Sequence, residues 1–313
     1  VTARPQPGRL RVPPALAAAQ QTEEWRAWVA ELPTLAGEFL ERWQLRPDGA
    51  PTHGAVSLIL PVRQPDGSPA VLKLQPVDEE TRGEPIALRA WGRGLAAELL
   101  DSDPDTGTLL LERLDAARSL AAVPDDTLAV RELAELLAAL VDRPAPAGLP
   151  RLADLAAAML HRLPRALPQL AAPADRQLLA TCGAAVRELL AEPGDRLLHW
   201  DLHYDNVLAP LPAYGQDRSR WLAIDPKPLA GDPGFELLPA LRNRWEDVVA
   251  TGDVTRAVRH RFRLLTDTLD LDRLRATGWT LGRILQNTLW DLDDGATAVD
   301  PVQVAIAGAL LEA

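Results

Sequence analysis

Between residues 197 and 208 the chain reads Leu-Leu-His-Trp-Asp-Leu-His-Tyr-Asp-Asn-Val-Leu, five polar groups set among apolar residues that anchor a strand or loop. The spacing His199-x-Asp201-x-x-x-x-Asn206 suits transfer of a phosphoryl group to a hydroxyl. That chemistry needs a carboxylate to take the hydroxyl proton and cations over the phosphates. Asp201 is the candidate general base, and the Asn206 amide is a candidate magnesium ligand. Further on, Trp221-Leu-Ala-Ile-Asp225-Pro ends an apolar run in a carboxylate. Mg²⁺ takes oxygen donors, often only one or two from protein, so Asp225 is the second candidate metal ligand. Upstream, Lys73 sits in the strand-like run Ala70-Val-Leu-Lys-Leu-Gln75, where an ammonium would hold the α/β-phosphates of a nucleotide. Each pattern alone is commonplace. Their order, strand lysine then His-x-Asp-x-x-x-x-Asn then strand aspartate, is specific.

The basic residues sharpen this. Of 33 basic side chains, two are lysines, Lys73 and Lys227; the asparagines are Asn206, Asn243 and Asn287. Where arginine fills nearly every basic position, a retained lysine is a candidate for work that a guanidinium cannot do. His199 is read as holding the loop through backbone carbonyls, and Trp200 as a packing residue.

The elements that must position these groups fall into two parts. Residues 22–43 carry Trp25, Trp28, Leu32, Leu35, Phe39 and Trp43 near helical spacing, interrupted at Pro33, and predict one or two amphipathic helices. Runs at 55–63 and 70–75 flank Pro65-Asp-Gly-Ser68 and predict a hairpin; a helix over 85–100 and a short buried strand over 107–113 follow. After about residue 120, Leu/Ala periodicity predicts helices near 126–142, 151–170, 174–192, 235–250, 254–270 and 273–293, with a loop-and-strand insert at 197–225. The expected fold class is α+β with two lobes, a β-rich lobe at 1–115 and an α-rich lobe at 116–313. A net charge of -11 argues against a nucleic-acid partner and suits a cationic small molecule. No apolar run is long enough for a bilayer, no secretion signal is evident, and the single Cys182 precludes an internal disulfide. These point to a cytoplasmic protein, expected to be a monomer.

At Val71-Leu-Lys-Leu-Gln75, Leu88-Arg-Ala-Trp-Gly92, Leu110-Leu-Glu-Arg-Leu114, Leu198 to Leu208, Ala223 to Glu236 and Gly278 to Gly295 the sequence resembles the aminoglycoside phosphotransferases, which share the protein-kinase-like fold. Within that family it is similar to the streptomycin 6-phosphotransferase and hydroxyurea kinase subgroup. The resemblance implies ATP and Mg²⁺ as cofactors and antibiotic resistance as the role. It implies Asp201 as base, Asn206 and Asp225 at magnesium, and Lys73 at the α/β-phosphates. Leu110 to Leu114 would be the hinge whose backbone faces adenine, bringing in Glu112 and Leu114. The glycine-rich loop of kinases is reduced to Thr52-His-Gly-Ala-Val-Ser57. Lys73 needs an acidic partner. Glu84 has the right spacing to Leu88, but Pro85 draws it towards a helix cap, and Glu79 or Glu80 could serve instead.

A streptomycin site should offer carboxylates and aromatic faces to two guanidinium groups. Candidates are Gln286, Asn287, Trp290, Asp291, Asp293 and Asp294 near the end of the 273–293 helix, with Asp232, Glu236, His203 and Tyr204 closer to the base. Two alternatives stay open: a metabolic kinase of the same fold acting on an amino sugar, hydroxyurea or another small alcohol, and a non-catalytic nucleotide-binding module.

Overall fold

The computed structural model describes residues 10–20, 22–212 and 220–312. The chain divides into two units, one running to Arg93 and resuming at Ala97–Leu114, the other comprising Gly94–Ala96 and everything from Asp115 onward.

In the first unit a short helix α1 (Pro14–Ala17) precedes α2 (Glu23–Arg42). Thr22 caps α2 by accepting the Trp25 N–H, and Glu23 and Glu24 face its positive end. Of the one or two helices that the spacing allows, one forms. It runs through Pro33 because Leu32, Ala36 and Phe39 are anchored in the core on both sides.

That core is one face of an antiparallel sheet. Strands β1 (Arg46–Pro47), β2 (Thr52–His53), β3 (Leu58–Arg63) and β4 (Pro69–Leu74) lead to helix α3 (Glu84–Trp91) and then β5 (Leu99–Asp103) and β6 (Thr108–Glu112). The sheet order is β1-β3-β4-β6-β5, with β2 also on β3. Leu58, Leu60 and Val62 of β3 and Ala70, Leu72 and Leu74 of β4 alternate inward onto α2, as period-two strands require. Lys73 therefore projects from the opposite face, between Ile59 and Leu109 on the neighbouring strands. The expected 85–100 helix stops at Trp91, because Gly92 takes φ +66 and ends it; Leu99 and Leu100 already belong to β5.

Strand β7 (Leu114–Ser119) leads into the second unit, which is mostly helical: α4 (Asp126–Val141), α5 (Leu152–Ala166), α6 (Pro173–Leu189), α7 (Leu237–Arg242), α8 (Trp245–Ala250), α9 (Val254–Thr268), α10 (Arg273–Asp293) and α11 (Pro301–Leu311). The 235–250 segment, expected as one helix, is two, joined at Arg244 in the left-handed region. Inserted between α6 and α7 are β8 (Arg196–Leu198), β9 (Val207–Pro210), β10 (Leu222–Ala223) and β11 (Leu229–Gly231). They form two antiparallel pairs, β9 with β10 and β8 with β11, and β7 adds to β9. Helix α10 is buried over nearly its whole middle, from Gly278 to Leu289. Among the described residues no helix is long and apolar enough to cross a membrane.

Candidate active site

The two strand pairs bracket two loops, 199–206 and 224–228, and stitch them together. His199 Nε2 lies 3.0 Å from the Ile224 carbonyl, the Lys227 amide donates to the His199 carbonyl over 3.0 Å, and the Ile224 amide donates to the Asn206 carbonyl over 2.9 Å. His199 has no exposed surface, and burial pulls its pKa down to about 4. It is therefore neutral. With Nε2–H donating to Ile224, Nδ1 accepts the Asp201 amide over 3.4 Å, so a single tautomer braces the backbone of Asp201.

Asn206 donates its side-chain amide to the Asp201 carbonyl over 3.0 Å, which turns its oxygen the other way. Asp225 sits at φ +58, and Trp200, next to Asp201, at φ +66. Left-handed backbone at a bulky or acidic residue persists only where neighbours hold it. At Trp200 the holders are visible. Glu236 Oε1 accepts its N–H over 2.6 Å, and Arg283 Nη2 donates to its carbonyl over 3.1 Å. The Arg283 guanidinium packs against the rings of Trp200, Phe235 and Trp290 at 5.3, 5.7 and 5.3 Å. Gln286 Oε1 takes both the Trp200 indole N–H and an Arg283 N–H. Glu236 is fully buried, and desolvation pushes its carboxyl up to about 7.

In the first unit Lys73 and Glu84 form a buried pair, Nζ reaching Oε1 and Oε2 at 2.8 and 2.7 Å, with Gln75 Nε2 on Oε2 at 2.7 Å. Of the three acids considered, Glu84 is thus the partner. Pro85 is accommodated because Glu84 opens α3, where a following proline loses no helical bond. The Gly54 amide donates to the Ser57 carbonyl, closing the single-glycine turn on itself. Glu112 ends β6 with its carboxylate on the Glu98 amide, and Leu114 closes the unit; both are buried.

Several expected substrate residues face inward. Glu236 and Gln286 are enclosed in the network around Trp200, and Asn287 donates to Gln303 of α11 over 3.1 Å. Asp232 caps the turn at Gly234 and holds Arg275, and Asp293 is occupied by Arg162, both oxygens at 2.7 Å. Glu236, Gln286, Asn287 and Asp232 are buried against these partners, whereas Asp293 stays at the surface. Trp290 remains 38% exposed; Asp291 is half-buried, and desolvation raises its carboxyl. His203 lies 3.3 Å from Asp205, and burial pushes the Tyr204 hydroxyl up. Arg283, missing from the expected site, gave no signal beyond a charge inside the apolar stretch Leu281-Gly-Arg-Ile-Leu285.

Loop 199–206 thus carries Asp201 and Asn206, and loop 224–228, bonded to it through the backbone, carries Asp225. The chain belongs to the aminoglycoside/hydroxyurea antibiotic resistance kinases, whose family pattern matches residues 42–295. It is 57% identical to a streptomycin 6-kinase of Streptomyces glaucescens, over 92% of each chain. It is 52% identical to a hydroxyurea phosphotransferase of Kitasatospora aureofaciens, over 91% of this chain and 81% of that one. The fold matches a thermostable mutant of the aminoglycoside phosphotransferase APH(4)-Ia, solved with ADP and hygromycin B, with a TM-score of 0.55 at 15% identity over 89% of this chain and 98% of that chain.

Proposed function

We propose that the protein is a streptomycin 6-kinase that uses ATP and Mg²⁺ and protects its host against that antibiotic. The observation carrying this reading is the 57% identity to a streptomycin 6-kinase along 92% of the chain. In it, Asp201 accepts the proton of the acceptor hydroxyl. Its aim is set by His199 behind its amide and by Glu236 and Arg283 on either side of Trp200. Lys73, held by Glu84, meets the α/β-phosphates, and Glu112 to Leu114 borders the adenine.

The donor set fits magnesium. Asn206 and Asp225 offer hard oxygens from two cross-bonded loops. Bound Mg²⁺ would neutralise phosphate charge. Trp290 and Asp291, with His203, are the residues proposed to meet the cationic substrate. The protein works as a cytoplasmic monomer, without nucleic acid or membrane.

A second reading is hydroxyurea phosphorylation, favoured by the 52% identity to such an enzyme. The test is a panel of streptomycin, other aminoglycosides, hydroxyurea and glucosamine with MgATP, scored by product mass. One added phosphoryl group on streptomycin, lost in Asp201→Ala, supports the proposal. Gain on hydroxyurea alone replaces it with the second reading.

A further inference from the structure

Lys227 follows Asp225 by two residues, and nothing in the reaction as set out so far uses it. Its amide is spent on the His199 carbonyl, which fixes where its side chain starts. Its ammonium lies 3.6 Å from Asp201 Oδ2, with the two side chains 40% and 28% exposed. That separation exceeds the roughly 2.7–2.9 Å of a tight charged hydrogen bond, so the ammonium stands beside the carboxylate without clamping it.

A mere counter-charge for these loops could have been arginine, which fills every basic position except two. A guanidinium fork, however, would lock bidentately onto Asp201 and take both oxygens away from the acceptor hydroxyl. A compact ammonium on a four-carbon stem can swing aside. The acceptor oxygen must come within about 2.6–3.2 Å of Asp201, and the reacting phosphorus within about 3–3.5 Å of that oxygen. A phosphoryl group held there would bring its oxygens towards the Lys227 stem.

We propose that Lys227 is a catalytic residue that moves from Asp201 onto the equatorial oxygens of the phosphoryl group in flight. This rests on reading Asp201 as the base. In the step, the acceptor oxygen bonds to phosphorus, and the bond from phosphorus to the β-phosphate oxygen breaks, its electron pair leaving with ADP. The hydroxyl proton goes to Asp201. Lys227 exchanges no proton; it supplies charge where the transition state spreads it.

The test compares the parent with Lys227→Met, Lys227→Gln and Lys227→Arg on MgATP and streptomycin. Turnover is set against calorimetric Kd values for ADP and streptomycin and against the ratio of rates with ATP and its γ-thio analogue. The expected result is a kcat loss of roughly 10²–10³ in the Met and Gln variants with Kd values nearly unchanged. Arginine should fail to rescue, and the thio ratio should fall, because the group that senses the non-bridging oxygens is gone. Either neutral variant, folded by its thermal melt, is sufficient. Near-parental kcat in a neutral variant, a loss confined to Kd, or an unchanged thio ratio overturns the role of Lys227 while the kinase reading stands. A parent inactive on every hydroxyl acceptor overturns both.

Discussion

The amide of Trp200 donates over 2.6 Å to Glu236, a carboxyl with no exposed surface whose pKa burial pushes up to about 7. The ordinary value is 4.5, so the folded state holds this proton more tightly than the unfolded chain. Its contribution to stability is full below about pH 4.5 and is lost as the pH rises through 7. At 1.36 kcal/mol per unit the span is about 3 kcal/mol. Glu236→Gln should flatten this slope in urea titrations run from pH 4.5 to 8. Parallel slopes in parent and variant would count against the buried proton.

Arg283 grips the other side of the same residue. Arg283→Met should leave the rings packed but release the Trp200 carbonyl, letting Asp201 drift. A misplacement on the order of 1 Å costs about 10²-fold, so kcat should drop by about that much with little change in nucleotide affinity. Arg283→Lys should recover only part, since one ammonium cannot serve both Gln286 and the carbonyl. A Met variant with parental kcat would remove Arg283 from the positioning apparatus.

Lys73 and Glu84 are 3% and 2% exposed, so neither charge survives alone in its place. Glu84→Ala should destabilise the protein by about 3–5 kcal/mol. The double variant Lys73→Met with Glu84→Met should regain most of that stability, because two apolar side chains replace two desolvated charges, yet show no phosphoryl transfer. Thermal melts and turnover separate the two effects, and an active double variant would refute the phosphate role.

Cys182 is fully buried in α6, and burial pushes its thiol up to about 12. A thiol-reactive chromophore should leave the native protein unmodified and react once per chain in denaturant. Prompt native labelling would contradict the packing of α6.

The readable parts of the sequence were those with short-range causes. Two apolar runs around Pro65-Asp-Gly-Ser68 placed β3 and β4 as a hairpin, whereas the face that Lys73 takes emerges only from the packing of β3 and β4 on α2. The polar run at 199–206 and Asp225 were legible as one cluster because the loops that carry them are bracketed by strands only a few residues away. Pro33 left one helix or two open until core packing decided for one, and a positive φ at Gly92 cut short a helix that periodicity would have continued. The network around Trp200 was illegible. Arg283 lies 83 residues from the carbonyl it holds, and Glu236 lies 36 from the amide. The inward turn of Gln286 and Asn287 likewise depends on tertiary partners, Trp200 and Gln303, that spacing within α10 does not reveal.

The scarcity of lysine has a practical corollary. Of the two ε-amines in the chain, one is sealed at 3% exposure against Glu84 and the other is 40% exposed beside Asp201. An amine-reactive ester should therefore mark a single side chain. Its rate of marking becomes a footprint of whatever covers the carboxylate, readable by peptide mapping without any assay of turnover.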